Sequence, residues 1–272
     1  MIWTREKVIT DLINLNKTLG HSPSTRETHP TLYQASRRNF GSFNQAKKEA
    51  GLKIFPQKHH YLRKGANILS NDLAYILGVI EGDGYCKKVK SPRRVSATII
   101  LKVKDFDFIQ AFADAIRNWS GIEPRFGKDK ERFFVALYSV DAVDIVQKLT
   151  LNRITKQEKS IKSNFLRGLF DSDGGVAGFN LNRRRQAARW IHFSNSDKKL
   201  INIVDVLLKD FGIDCKIRSR VHSGFGSTKL QYELFIYRLE NFEKFYKHIG
   251  FYIKRKNNRL LEIINSYEKY RK

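Results

Sequence analysis

One ten-residue pattern occurs twice and limits the fold more than any other feature of the chain. "YILGVIEGDG" fills positions 75–84 and "FLRGLFDSDG" fills 165–174. Each reads as an apolar helix ending on an acid, a small residue, an aspartate and a glycine. Small residues fall four apart, Gly78 with Gly82 and Gly168 with Ser172, so each helix carries a small-residue face. Glycine inside a helix costs about 0.5–1 kcal/mol relative to alanine. Bearing that cost twice at matching positions makes sense if two helix backbones press together on this face. Asp83 and Asp173 then lie side by side where the helices end. That placement is unfavourable alone, because a helix C-terminus is already partly negative. Two carboxylates about 5 Å apart repel by roughly 3 kcal/mol at an effective dielectric near 20. A divalent cation converts the repulsion into a binding site. The carbonyls of Gly82 and Ser172, without intrahelical partners, are further donors. An all-oxygen set with open water positions suits Mg²⁺. Glu81 and Asp171 read as local hydrogen-bonding groups rather than catalytic acids.

The duplication extends beyond the motif. An alternating strand follows in each copy, "SATIILKV" at 96–103 and "RWIHFSN" at 189–195. A helix comes next. It places Phe108, Ala111, Phe112, Ala115, Ile116 and Trp119 on one face in the first copy, and Leu200, Ile203, Val204, Leu207, Leu208 and Phe211 in the second. Further strands ("RFFVALYS"; "CKIRSRV" and "LQYELFIY") and a closing helix complete the order αββαββα, twice. The expected class is α+β. Boundaries fall at 1–54 for a small helical module, 55–69 for a basic linker, 70–155 for the first repeat and 156–272 for the second. A connection near 151–162 joins the repeats, and "NRLLEIINSYEKY" forms a last helix. In the module, Trp3 to Leu19 reads as a helix, Ser24 or Thr25 caps a second, and 32–52 holds two short helices broken at Gly41.

Charge narrows the partner. The 272 residues hold 51 Lys and Arg against 27 Asp and Glu, a net +24. An excess this large repels itself unless phosphates neutralise it, which points to nucleic acid. No apolar run reaches the roughly 18–20 residues a spanning helix needs, and the charged start "MIWTREKVITDLINL" does not suit a secretion signal. Two cysteines, Cys86 and Cys215, form no CxxC pair, which fits a reducing intracellular compartment. There is no HExxH, and His59–His60 reads as a solvated pair.

These two decapeptides, in a duplicated basic chain, resemble the LAGLIDADG motif of homing endonucleases in their single-chain, two-repeat form. The resemblance covers residues 70–272. It implies a pseudo-twofold saddle of two four-stranded antiparallel sheets straddling DNA, and double-strand cleavage with staggered ends across the minor groove. It carries metal binding to Asp83 and Asp173, with backbone oxygens of Gly82 and Ser172. Glu81 stands where Asp is commoner and Ser172 where Gly or Ala is commoner. The first 54 residues, through "WTREKV", "LGHSPSTRE" and "RRNFGSFNQAKKEAGL", resemble a short helical repeat associated with homing endonucleases, implying a DNA-contacting module with Arg37 and Arg38 exposed to DNA.

Candidate DNA-facing groups follow from strand parity. Ala97, Ile99, Leu101 and Val103 share the core face, so Lys102 and Lys104 point the other way, and a lysine there can stabilise charge at a scissile phosphate. "CKIRSRVH" sets Cys215, Ile217, Ser219 and Val221 on a core face, opposite a ladder of Lys216, Arg218, Arg220 and His222 suited to the major groove. Arg183, Arg184 and Arg185 read as a loop contacting phosphates. The segment "YIKRKNNRLL" resembles the family stretch that supplies a pocket lysine, which points to Lys254; Lys156 is its weaker counterpart. The reading is a monomeric Mg²⁺-dependent endonuclease of mobile-element type acting on long, partly asymmetric double-stranded DNA. Mn²⁺ is expected to substitute, and Ca²⁺ to support binding without cleavage. The rivals are an RNA-binding splicing maturase, with intron RNA as partner, and a cleavage-dead DNA-binding regulator.

Overall fold

The computed structural model describes residues 3–25, 27–54, 62–91, 94–179, 188–224 and 227–268. The chain divides into two compact units, Met1–His59 and His60–Lys272. In the first, α1 (Arg5–Leu19) begins where the Thr4 hydroxyl accepts from Lys7 N at 3.3 Å. It packs with α2 (Pro30–Phe40) and α3 (Phe43–Glu49) around Val8, Leu12, Leu32, Phe40 and Phe43. The break at Gly41 is present, with φ +78°. The second helix is capped by His29 instead of Ser24 or Thr25. Ser24 lies in a preceding turn, where its carbonyl accepts from Glu27 N and the Thr28 hydroxyl.

The second unit repeats one plan. The first half runs α4 (Asn71–Glu81), β1 (Tyr85–Ser91), β2 (Arg94–Val103), α5 (Phe106–Ser120), β3 (Arg125–Asp129), β4 (Arg132–Leu137) and α6 (Val140–Lys148). After α7 (Leu151–Ile154), the second half runs α8 (Lys159–Ser172), β5 (Gly174–Phe179), β6 (Ala188–Asn195), α9 (Lys198–Lys209), β7 (Cys215–Gly224), β8 (Ser227–Ile236) and α10 (Leu239–His248). It ends in α11 (Lys254–Glu268). Each half makes a four-stranded antiparallel sheet of the same order, β1-β2-β4-β3 and β5-β6-β8-β7. One face of each sheet packs on the helices through Ile99, Leu101 and Val135, and through Ile191, Phe193 and Leu234. Among the described residues no helix is long and apolar enough to cross a membrane.

Three expectations need correction. Residues 55–61 of the expected linker lie outside the described residues. Its second half is anchored: Arg63 N donates to Ser120 O at 2.8 Å and Trp119 Nε1 to Ala66 O at 2.7 Å. The connection at 151–162 contains α7 and the first turn of α8. The β7–β8 hairpin also outruns its core. Ile217, Val221 and Leu230 sit on the parity of the buried residues yet are exposed, Val221 by 57%.

The two motif helices pack backbone to backbone. A Cβ added at Gly78 would fall on the Phe165 carbonyl oxygen and come within 3.0 Å of Leu169 N. One added at Gly168 would fall on the Tyr75 carbonyl oxygen. Side chains there force a choice between clash and separation, so only glycine permits the approach. Gly78→Val is expected to cost about 3 kcal/mol, a fall of roughly 6–12 °C in melting temperature. A thermal melt matching the wild type would rule out this close contact.

Candidate metal centre and nucleic-acid interface

Helix contact at Gly78 and Gly168 brings the two helix ends together. The C-cap of α4 is Gly82. A Cβ there would strike the Ser172 side chain and lie 3.3 Å from Asp173 Oδ2. The Asp173 carboxyl therefore leans across the end of the partner helix toward the segment that carries Asp83. Its pKa is pushed up to about 6, first by burial and then by the charge of Asp83; Lys256 and a hydrogen bond with Asn195 oppose the rise. Asp83 itself is exposed.

The acid two residues before Asp173 has a structural role. Asp171 is buried and accepts from Tyr75 Oη at 3.0 Å, Tyr252 N at 3.1 Å and Ile253 N at 3.3 Å. It thus ties α4, α8 and the start of α11. Burial pushes its pKa up to about 6 despite these donors. Glu81, its counterpart, is exposed, and burial of part of its carboxyl followed by Asp197 raises its pKa.

The lysine at the end of α8 is Lys256, and Lys254 is not there. Only 6% exposed, Lys256 donates from Nζ to the carbonyls of Phe170 at 2.9 Å, Asp171 at 2.6 Å and Ser172 at 3.2 Å. It neutralises the negative helix end beside Asp173. Burial pulls its pKa down to about 8, while Asp171 acts to raise it. Lys254 is exposed, and its backbone N–H donates to Asp107 Oδ2 at 2.6 Å. Arg255 makes a forked pair with Asp105 at 2.7 and 2.8 Å, which pins α11 of the second repeat to the start of α5 in the first. The clue was periodicity: Lys256 precedes Leu260 and Ile263 by four and seven, on the buried stripe of α11. Asn195, which holds Asp173, was also missed and carried no comparable signal. No lysine or arginine among the described residues donates to the carbonyls of Ile80, Glu81 or Gly82. That flank of the first repeat holds a cavity of about 200 Å³ lined by Leu77, Ile80, Glu81, Val146 and Leu149.

Among the described residues no cluster of three or more His, Cys, Asp or Glu is placed to hold a metal. Asp83 and Asp173 are the acidic side chains whose charges interact at the joined helix ends. Hard oxygen donors this close, with the Asp83 charge raising the proton affinity of Asp173, fit a divalent cation whose remaining positions are filled by water or phosphate oxygens. The Ser172 carbonyl already accepts from Lys256, so a metal would share that oxygen with the ammonium.

The sheet faces turned from the helices carry the other candidates. Lys102 is exposed and ion-paired with Asp129, and Lys104 with Glu131 at 2.9 Å. Lys216, Arg218 and Arg220 project together from β7, with the Arg218 guanidinium 5.7 Å from the Phe235 ring centre. Lys156 is exposed beyond α7, far in sequence from the lysine that reaches α8. Arg37 and Arg38 are exposed on α2 of the first unit. Arg183, Arg184 and Arg185 lie outside the described residues.

The raised Asp173 pKa gives a direct test of the aspartate pairing. A carboxyl with a raised native pKa favours the fold below its unfolded value, near 3.9, and that contribution disappears as pH rises through about 6. Removing the Asp83 charge should lower the Asp173 midpoint. Carbon-detected NMR titration of metal-free wild type and Asp83→Asn checks it, and an unchanged midpoint would place the two carboxyls too far apart to share a cation.

Known proteins share parts of this sequence and this fold. Residues 160–250 match the LAGLIDADG-like domain, and residues 3–53 match the homing endonuclease associated repeat. An uncharacterized protein of Methanocaldococcus jannaschii is 29% identical over 170 residues, covering 57% of this chain and 62% of its own length. A second from that organism is 28% identical over 213 residues, 74% of each chain. Among solved structures, a variant of the homing endonuclease I-DmoI, determined with its nicked target DNA and Mn, superposes with a TM-score of 0.52. It shares 23% identity, with 66% of this chain and 96% of that one covered. Other I-DmoI complexes with DNA were determined in the presence of Mg or with Ca. By its paired motifs, its duplicated fold and these two matches, the chain is similar to LAGLIDADG proteins over residues 160–250 and to the homing endonuclease associated repeat over residues 3–53.

Proposed function

We propose that this protein is a divalent-metal-dependent endonuclease that cuts both strands of a long, partly asymmetric DNA site. The observation that carries the reading is the meeting of Asp83 and Asp173 at the joined ends of α4 and α8, between two sheets with basic outer groups. Asp83 and Asp173 would hold the metal, with Gly82 contributing a backbone oxygen. When bound, Mg²⁺ or Mn²⁺ supplies charge neutralisation at the phosphoryl group and acidifies the attacking water. The chain's own part is to orient. Asn195 holds the Asp173 carboxyl, Lys256 fixes the end of α8, and the Arg255–Asp105 pair keeps the two repeats in register.

Lys102, on the outer face of β2, and Lys104, just beyond its end, are set to contact phosphates once DNA displaces Asp129 and Glu131. Lys216, Arg218 and Arg220 would read or clamp the other half-site. The repeats differ in sequence at nearly every outer-face position, so the target need not be palindromic and one chain suffices for both strands. With Asp83 and Asp173 side by side, each serving one strand, cleavage falls across the minor groove and leaves staggered ends. Free thiols at Cys86 and Cys215 suit an intracellular, reducing setting.

The test is cleavage of a randomised plasmid library in Mg²⁺. Asp83→Asn and Asp173→Asn should each reduce double-strand cutting below detection while DNA binding in Ca²⁺ survives. A double Asn variant that still cuts would overturn the assignment.

A further inference from the structure

The outer face of the second sheet carries rings at His192, Phe235 and Trp190, where the first sheet has Ile100, Ala136 and Thr98. Across one row, Gly175 pairs with His192 and His192 with Phe235. The matching row of the first sheet is Tyr85, Ile100 and Ala136. One row further out, Trp190 stands opposite Ala177, where the first sheet has Thr98 opposite Lys87. The glycine is needed: a Cβ at Gly175 would come within 2.7 Å of His192 Nε2. Phe235 and Tyr237 lie nearly parallel, 6.0 Å apart at 20°, and Phe179 leans on Trp190 at 5.6 Å. The first sheet has Tyr85 in that row and Tyr138 at the position of Tyr237, so the rings peculiar to the second copy are His192, Phe235 and Trp190, and the fold does not demand those three.

Beside these rings opens a cleft of about 590 Å³, lined by Arg189, Trp190, Tyr237, Arg238, Leu239 and Tyr267. Arg189 is held in place, with Nε donating to Ser266 Oγ at 2.8 Å and its guanidinium 4.2 Å from the Tyr267 ring centre. Its Nη2 is buried and, among the described residues, meets no acceptor. A buried guanidinium nitrogen left so is costly unless a ligand oxygen completes it. Arg238 adds a second observation. Its φ of +74° with ψ of 143° is a backbone conformation natural only to glycine. An arginine kept there at a cost in strain marks a use for its charge.

We infer that this cleft binds an unpaired nucleotide, its base stacked on Trp190 and Tyr237 and its phosphate between Arg189 and Arg238. Stacking on a side chain needs a free base face, which neighbouring pairs cover inside a duplex. The basic ladder of β7 has the opposite character, charged and open. The cleft also lies five residues along β6 from Asn195, roughly 17 Å from the aspartate pair. Single-strand binding here therefore goes beyond duplex cleavage and is separable from it.

Fluorescence anisotropy of the full chain in EDTA tests the site, with a short labelled oligothymidylate, an oligouridylate of equal length and a blunt duplex. The readout is the ratio of single-strand to duplex affinity. Trp190→Ala should lower that ratio about tenfold, the worth of one stacked base, and Trp190→Phe should restore most of it. Arg238→Gly should raise the melting temperature, because glycine accepts that backbone, and yet lower the ratio. Whichever oligonucleotide binds tighter names the strand as DNA or RNA. A ratio unmoved by both Trp190→Ala and Arg238→Gly overturns the inference, whatever happens to plasmid cleavage.

Discussion

Contact between the backbones of α4 and α8 is the constraint from which the rest of the second unit follows. It exists because Gly78 and Gly168 present no side chain where the Phe165 and Tyr75 carbonyls pass. A pair packed this closely has little freedom to slide, so the positions of the two helix ends are set together. The chain then carries its acids at those ends, where helix charge and mutual repulsion both oppose them. The fold stabilises this arrangement through helix packing and core burial, leaving the carboxyls as the locally unfavourable group. Such a group is suited to a cation, as local strain at functional sites generally is.

The two ends are not equivalent. That of α8 is held by a buried ammonium on three carbonyls, by Asp171 capping α11, and by Asn195 on Asp173. That of α4 has an exposed Glu81, an exposed Asp83 and a cavity beside it. The two halves share one frame, but α11 fills the flank of α8 while the flank of α4 stays open. The outer sheet faces differ in the same way, with Trp190, His192 and Phe235 in one half where the other has Thr98, Ile100 and Ala136.

How far the sequence was legible follows from which interactions are local. Helices and core-facing strands show themselves through period, and the repeated small-residue helix disclosed both the duplication and the aspartate pair. The first-repeat prediction that Ala97, Ile99 and Leu101 face the core holds because alternation is enforced by a one-sided sheet. Lys254 and Lys256 show the limit. Both sit in one basic run, and only the seating of α11 on α8 decides which reaches the carbonyls. The β7–β8 hairpin shows another: Val221 follows core parity in a strand that has left the core behind, so alternation persists without burial. The Asn195 contact and the Arg255–Asp105 pair join residues far apart in the chain, and no local pattern marks them.

The most direct measurement is anomalous scattering from crystals of the full chain soaked with Mn²⁺. The account predicts a single region of metal density with carboxylate oxygens of both Asp83 and Asp173 at roughly 2 Å from bound ions. Metal density beside only one of them, with the other carboxyl turned away across the molecule, would contradict it.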